Sequence, residues 1–171
     1  KYVGLAGHPG GHSNISDNDL DDIIIKKNQF ATNADYKVYF VTQFFFEAKV
    51  FKSWEQHINS LGNKLNIHAG IAGPASLKIL FSYAKSCGVG NSIKFLSKQA
   101  LNIKKITTTK TPNKLIADLA EYKFNNPASR LTKLHLYPFG GMKKTSQWMN
   151  SILENPIKIK DSNEFENFLI K

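Results

Sequence analysis

The sequence predicts an α/β fold built on a parallel sheet, and three observations lead to this prediction. Short apolar runs alternate with longer stretches of helical periodicity along the chain. Glycine or proline follows most of these segments, as is typical of the turns between strands and helices. Strands that are separated by helices require right-handed crossovers, which leave consecutive strands parallel.

The predicted elements make up four β/α units. Tyr2–Gly7 is an apolar run that predicts a buried strand. Asp19–Asn28 predicts a helix, because Ser16 or Asp17 can cap it and acidic residues occupy its first turn. The other predicted strands are Val38–Phe46, Leu65–Ile71 and Leu131–Tyr137. The other predicted helices are Ala48–Leu61 and Ala75–Cys87, each closed by a glycine, then Pro112–Tyr122 and Met142–Leu153, with Asn91–Thr108 helical or mixed.

The number of units leaves two architectures open. A complete (β/α)₈ barrel typically needs about 250 residues, so four units correspond to half of one. A small doubly wound sheet is the alternative if the chain is whole. The chain begins at Lys1 instead of Met and enters an apolar run at once, which favours a partial sequence.

Composition argues against several classes of protein. The net charge is +10, but Arg130 is the only arginine among 23 cationic residues, and these residues are scattered. A dedicated nucleic-acid surface is therefore not predicted, because arginine is the better reader of phosphates and base edges. No apolar run is long enough to span a bilayer, and no signal peptide is evident. The single Cys87 fits a reducing, cytoplasmic setting.

Polar and glycine residues gather where the predicted strands end. They occur at His8–His12, Gln43, Gly70–Pro74 and Tyr137–Gly141, directly after apolar runs. In barrels and in doubly wound sheets, the chemistry lies at the carboxyl ends of the parallel strands. The sequence therefore predicts a ligand-binding site at this end of the sheet.

Four of these segments carry a resemblance to a known family. They are LAGHPGGH (Leu5–His12), VTQFFFEAKVF (Val41–Phe51), HAGIAGP (His68–Pro74) and LHLYPF (Leu134–Phe139). Their order and spacing resemble the strand ends of methylenetetrahydrofolate reductases. The resemblance implies a (β/α)₈ TIM barrel, of which residues 1–153 supply roughly the last four β/α units. Residues 154–171 are then expected to form a peripheral tail.

The family resemblance also implies an activity. It suggests an FAD-dependent oxidoreductase that uses NAD(P)H to reduce 5,10-methylenetetrahydrofolate to 5-methyltetrahydrofolate. Such a flavoprotein serves one-carbon metabolism and methionine biosynthesis in the cytoplasm. The implied partners are the folate substrate and, in the complete protein, further copies of the chain, with no nucleic acid and no membrane.

The same resemblance implies individual site residues. The implied cofactor-binding residues are His8, His12, Ile15, Asp19, Asp22 and Lys26. Gln43 and Tyr83 are the implied substrate-binding residues, because an amide can pair with the pterin edge and an aromatic ring can stack on a flat ring. No catalytic residue is predicted. A metal site is not predicted either, because the His8–His12 pair has no third ligand at a suitable spacing.

The chain departs from the family pattern after its last strand. Pro138–Gly141 stands where the family has Thr-Leu-Asn-Arg, so the family's arginine is absent, with Lys143 or Lys144 as substitute cations. This departure keeps two alternatives open. One is a folate-binding barrel relative without reductase activity that acts in one-carbon transfer. The other is a non-catalytic interaction module.

Overall fold

The structure is a computed structural model that describes residues 1–89 and 109–155. The strands are β1 (Tyr2–Gly7), β2 (Lys37–Thr42), β3 (Asn66–Ala72), β4 (Ala75–Ser76), β5 (Thr109–Lys110) and β6 (Leu131–Tyr137). The helices are α1 (Asp17–Thr32), α2 (Ala48–Ser60), α3 (Leu77–Ser86), α4 (Asn113–Asn125) and α5 (Met142–Glu154). The predicted segment Asn91–Thr108 and nearly all of the predicted tail lie outside the described residues.

Four strands form one parallel sheet in the order β1-β2-β3-β6. This confirms the predicted α/β class with a parallel sheet. Each strand of the sheet lies beside the one that precedes it in the chain. A doubly wound sheet adds strands on both sides of its first strand, and this order shows no such reversal. The short strands β4 and β5 form a separate antiparallel pair.

One face of the sheet is covered by the helices and holds the main core. Phe40, Ile67 and Ile71 are buried on this face, packed with Phe51 of α2 and Leu119 of α4. Burial of such side chains contributes roughly 1.5–3 kcal/mol each. The alternation of strand residues sends their neighbours to the opposite face, which is more exposed.

Several element boundaries differ from the sequence prediction, and α1 extends from Asp17 to Thr32 instead of from Asp19 to Asn28. Strand β2 ends at Thr42, not at Phe46, and beyond it Phe45 forms only an isolated bridge with Ile71. Phe44 and Phe45 are both buried, in different clusters. Helix α3 begins at Leu77, because the preceding residues Ala75–Ser76 pair with β5 instead.

The amino end of the sheet contains a buried carboxylate. Glu55 of α2 is fully buried, and it accepts hydrogen bonds from Ser129 Oγ at 2.9 Å and from the Arg130 backbone N at 2.6 Å. Burial, together with a hydrogen bond to Glu55, raises the pKa of Tyr122. These contacts attach α2 and α4 to the start of β6.

Within residues 1–89 and 109–155, no helix has the length and apolar character needed to cross a membrane.

Candidate functional site

A cavity of about 840 Å³ opens at the carboxyl end of β1, between α1 and α2. His8, Lys27 and Trp54 are among its lining residues. Trp54 lies close over Gly7, and a side chain added at Gly7 would come within 2.8 Å of the indole ring. The glycine that ends β1 therefore gives the indole room beside the cavity.

Lys27 enters the cavity because of its position on α1. Ile24 is the buried residue of this helix, and Lys27 follows it by three residues, on the same helical face. The Lys27 Nζ donates a hydrogen bond to the Ala6 carbonyl at 2.6 Å and lies 5.9 Å from the centre of the Phe40 ring. Burial lowers the pKa of Lys27. None of the described carboxylates forms an ion pair with it.

His8 lines the same cavity as Lys27, whose charge acts on the His8 imidazole. Burial lowers the pKa of His8, and the nearby Lys27 and His12 lower it further. The neutral imidazole is therefore favoured near pH 7, and it has one N–H donor and one acceptor nitrogen. His8 and Lys27 together give the cavity two donors close to the end of β1.

Two of the three acidic residues that line the cavity, Asp21 and Glu47, have a basic partner within the protein, and Asp17 is the third. Asp21 on α1 and His57 on α2 lie 2.8 Å apart. Glu47 forms an ion pair with Lys49 at 2.8 Å. These pairs leave Lys27 as a half-buried cation without a carboxylate partner among the described residues.

Two predicted cofactor-binding residues lie in the turn next to the cavity and are not among its lining residues. The His12 ring lies 5.7 Å from the His8 ring and nearly perpendicular to it, and His12 Nδ1 accepts a hydrogen bond from Asn14 N at 3.2 Å. Ile15 pairs with His12 in an isolated bridge. This turn also contacts the end of α3, since Ser13 N donates to the Gly88 carbonyl at 3.1 Å.

The other three predicted cofactor-binding residues lie on α1 but do not line the cavity. Asp19 accepts a hydrogen bond from Ser16 Oγ at 2.6 Å, and its backbone N donates to the same hydroxyl oxygen at 3.2 Å. Asp19 therefore belongs to the N-terminal cap of the helix. Asp22 and Lys26 are exposed on the outer side of α1.

Sequence reasoning missed the residues of α1 that do enter the cavity. Asp21 lies three residues before the buried Ile24, and Lys27 lies three residues after it. The apolar periodicity of α1 contains this signal, because residues three or four apart share one face of a helix. Spacing measured from Ile24 favours Lys27 over Lys26 as the residue directed towards the sheet.

Gln43 follows β2, and its backbone is hydrogen-bonded to the end of β1, beside the cavity. Its N–H donates to the Gly7 carbonyl at 2.7 Å. The half-buried side-chain amide forms no hydrogen bond within residues 1–89 and 109–155. A side chain at Gly70 would clash with the Thr42 carbonyl, so the backbone of β3 lies very close to the end of β2 beside Gln43.

Tyr83 is 42% exposed and stacks on Phe139 with ring centres 4.1 Å apart and an angle of 17° between the ring planes. Phe139 is in turn nearly parallel to Tyr137, at 5.6 Å and 10°. The Tyr137 hydroxyl donates to the Thr42 carbonyl at 3.0 Å. A row of three aromatic rings therefore extends from α3 to the residue that precedes Gln43.

The segment after β6 packs tightly against the end of β3. A side chain at Gly140 would clash with the Pro74 carbonyl, so only glycine fits there without movement. Gly141 has a φ of +100° and precedes α5. Of the two substitute cations, Lys144 contacts the Thr109 hydroxyl at 3.4 Å, and Lys143 is exposed.

The described part of the chain contains no group of three or more His, Cys, Asp or Glu side chains placed to hold a metal ion.

A comparison with protein families gives a match that covers most of this end of the sheet. The family described as methylenetetrahydrofolate reductase matches residues 2–96, which is more than half of the chain. The match includes β1, β2 and β3 with the helices α1–α3, and hence the cavity, Gln43 and Tyr83. Strand β6 lies outside the matched residues. The chain belongs to the methylenetetrahydrofolate reductase family.

Proposed function

We propose that the chain belongs to a flavoprotein that binds FAD and uses NAD(P)H to reduce 5,10-methylenetetrahydrofolate to 5-methyltetrahydrofolate. One observation carries the proposal. His8 and Lys27 lie together in a cavity at the end of β1, and the Gln43 amide, which has no hydrogen bond to the described part of the chain, lies at the neighbouring strand end. This activity belongs to one-carbon metabolism and methionine biosynthesis, for which we propose a cytoplasmic location.

The donors of the cavity suit the diphosphate of FAD. A diphosphate needs cations or N–H groups, and Lys27 has no competing carboxylate among the described residues. A volume of about 840 Å³ is large enough for part of a dinucleotide. The bound flavin would supply the hydride chemistry, while the chain binds and orients the reactants.

The positions of the individual residues suggest their roles towards the cofactor. His8 and Lys27 would contact the cofactor from the cavity. His12 and Ile15 would support the turn that holds His8. The other predicted residues on α1, Asp19, Asp22 and Lys26, would reach a cofactor only outside this cavity.

Gln43 would bind the pterin of the folate substrate. Its side chain has both a donor and an acceptor, and a pterin edge requires both. Leaving such a half-buried amide without a hydrogen bond costs free energy, so a ligand that pairs with it gains affinity. Tyr83 would border the same ligand, although Phe139 already covers one face of its ring.

The strand order supports the barrel as the architecture of the complete enzyme. In a (β/α)₈ barrel, each strand lies beside the preceding one and all helices lie outside. The four parallel strands follow this order, and their helix-covered face holds the main core. We propose that residues 1–153 are roughly the last four β/α units, with residues 154–171 as a peripheral tail and the complete protein a homo-oligomer.

The segment after β6 favours one alternative function. Pro138–Gly141 carries no arginine, and its packing against Pro74 leaves no room for a side chain at Gly140. A relative that binds folate but does not reduce it, and that acts in one-carbon transfer, would tolerate this loss.

An absorbance experiment separates the two functions. The complete protein that contains this chain is mixed with FAD, freed of unbound flavin and treated with NADH or NADPH without oxygen. The reductase proposal predicts retained flavin absorbance that is bleached by a nicotinamide and restored by methylenetetrahydrofolate. Folate binding without retained flavin would favour the alternative. If neither ligand binds, the proposed function is wrong.

A further inference from the structure

Tyr137, the last residue of β6, reaches across a neighbouring strand to the residue that precedes Gln43. In the sheet order β1-β2-β3-β6, strand β3 separates β6 from β2. The Tyr137 hydroxyl nevertheless donates a hydrogen bond to the Thr42 carbonyl at the end of β2, at 3.0 Å. Burial, together with the nearby Cys87, raises the pKa of Tyr137, so the hydroxyl keeps its proton and remains a donor at neutral pH.

Gly70 of β3 gives the Tyr137 side chain room to cross. A side chain added at Gly70 would come within 2.9 Å of the Tyr137 ring and would clash with the Thr42 carbonyl. The Gly70 N–H itself donates to Thr42 Oγ1 at 2.8 Å. Thr42 therefore accepts one hydrogen bond from β3 through its side chain and one from β6 through its carbonyl, and both bonds lie immediately before Gln43.

The residue after Gln43 contacts the same end of β6. The buried Phe44 ring meets the Tyr137 ring at 6.1 Å and the Phe139 ring at 4.8 Å, edge-on in both cases. Phe139 is nearly parallel to Tyr137 and belongs to the segment that departs from the family pattern. The chain on both sides of Gln43 is therefore fixed by contacts with Tyr137, and Phe139 supports the Tyr137 ring.

We propose that Tyr137 is a positioning residue for Gln43, and that its hydroxyl sets how tightly the protein binds the pterin of a folate. This inference rests on the proposed role of Gln43 in folate binding. It adds to the site a residue outside residues 2–96, the part that matches the family. A backbone that is fixed at Thr42 leaves the Gln43 amide fewer orientations, so less conformational entropy is lost when the amide pairs with a ligand.

The test removes the Tyr137 hydroxyl from the complete protein that contains this chain. Tyr137→Phe deletes the hydroxyl and keeps the ring that packs against Phe139. Tyr36→Phe is the matched control, because Tyr36 directly precedes β2 at the amino end of the sheet and its hydroxyl has no hydrogen bond within residues 1–89 and 109–155. Each change is made alone and together with Gln43→Ala, and circular dichroism checks that every variant is folded.

Isothermal titration with a folate then shows whether Tyr137 acts through Gln43. We expect Tyr137→Phe to lower folate affinity about 5-fold when Gln43 is present and less than about twofold in the Gln43→Ala background, where no amide remains to be positioned. Tyr36→Phe should leave the affinity unchanged in both backgrounds. A merely structural role would give equal losses in both backgrounds. That result, or no loss when Gln43 is present, would overturn the proposal.

Hydrogen exchange without any ligand separates a failure of this inference from a failure of the proposed function. The Gln43 N–H donates to the Gly7 carbonyl at 2.7 Å, so its exchange reports how firmly this segment is fixed. We expect the Gln43 amide to exchange at least ~5-fold faster in Tyr137→Phe than in wild type, and at the wild-type rate in Tyr36→Phe. If wild type binds no folate, the proposed function is wrong, and this rate alone decides whether Tyr137 positions Gln43. An unchanged rate in Tyr137→Phe would overturn the inference.

Discussion

Polar side chains at the two ends of the sheet differ in the partners that the protein provides for them. At the amino end, Glu55 is fully buried and accepts hydrogen bonds from Ser129 and Arg130. At the carboxyl end, the Gln43 amide has no hydrogen bond within the described residues, and Lys27 has no carboxylate partner there. A buried polar group that is satisfied by the protein stabilises the fold, whereas an unsatisfied one is available to a ligand.

This difference agrees with the division of labour in parallel β/α folds. In these folds, the amino end of the sheet serves stability and the carboxyl end carries the chemistry. The hydrogen-bond partners of a polar residue therefore distinguish a structural role from a ligand-binding role better than the residue type does. Glu55 is a more common catalytic residue type than Gln43, yet its contacts identify it as structural.

The largest effect on stability should follow from removing Glu55, whose hydrogen bonds are satisfied at the amino end of the sheet. Glu55→Ala leaves the Ser129 hydroxyl and the Arg130 N–H without their acceptor, and we expect a loss of about 3 kcal/mol in the free energy of unfolding. Urea denaturation measures the loss. Gln56→Ala, at the exposed neighbouring position, should change stability by less than about 0.5 kcal/mol. A loss for Glu55→Ala as small as that of the control would mean that the network is not structural.

A moderate effect on folate affinity should follow from a change of Gln43 at the carboxyl end of the sheet. Gln43→Ala removes the proposed pterin partner, and we expect folate affinity to fall about 10-fold, since a net hydrogen bond contributes roughly 0.5–1.5 kcal/mol. Stability should be nearly unchanged, because no described residue makes a hydrogen bond with this amide. Isothermal titration with a folate measures the affinity. Unaltered folate binding combined with reduced stability would mean that Gln43, like Glu55, has a structural role.

The smallest effect concerns pH and His8. The pKa of His8 is lowered in the folded protein, so the unfolded chain binds a proton at higher pH than the folded chain. The stability that His8 contributes is therefore present above its ordinary pKa of 6.5 and is lost as pH falls through the lower folded value. Melting temperatures between pH 8 and pH 5 should fall more steeply for wild type than for His8→Asn. Parallel profiles would contradict the lowered pKa.

The order of elements could be predicted from the sequence because periodicity and glycine punctuation are local signals. Strand β6 (Leu131–Tyr137) has the predicted bounds, and α2 ends within one residue of the prediction. The end of β2 could not be predicted in this way. Phe44 and Phe45 continue the apolar run, and only the tertiary packing divides them between two clusters.

The candidate site could be predicted in outline but not in detail. His8 and Gln43 lie directly after β1 and β2, where the motifs predicted strand ends, and residues 2–96 match the family. The choice between Lys26 and Lys27 depends on the rotation of α1 about its axis, which a sequence motif does not fix. Hydrogen-bond partners are also absent from a sequence, so it does not reveal that Asp19 belongs to the helix cap.

The central claim is that Lys27 and His8 beside β1 bind the cofactor, and an FAD titration of three forms of the complete protein that contains this chain tests it most directly. Wild type, Lys27→Gln and the matched control Lys26→Gln are titrated by following flavin fluorescence. The account predicts that wild type binds FAD, that Lys27→Gln weakens binding about 10-fold or more, and that Lys26→Gln changes it less than about twofold. No binding by wild type, or weakening by Lys26→Gln alone, would contradict the account.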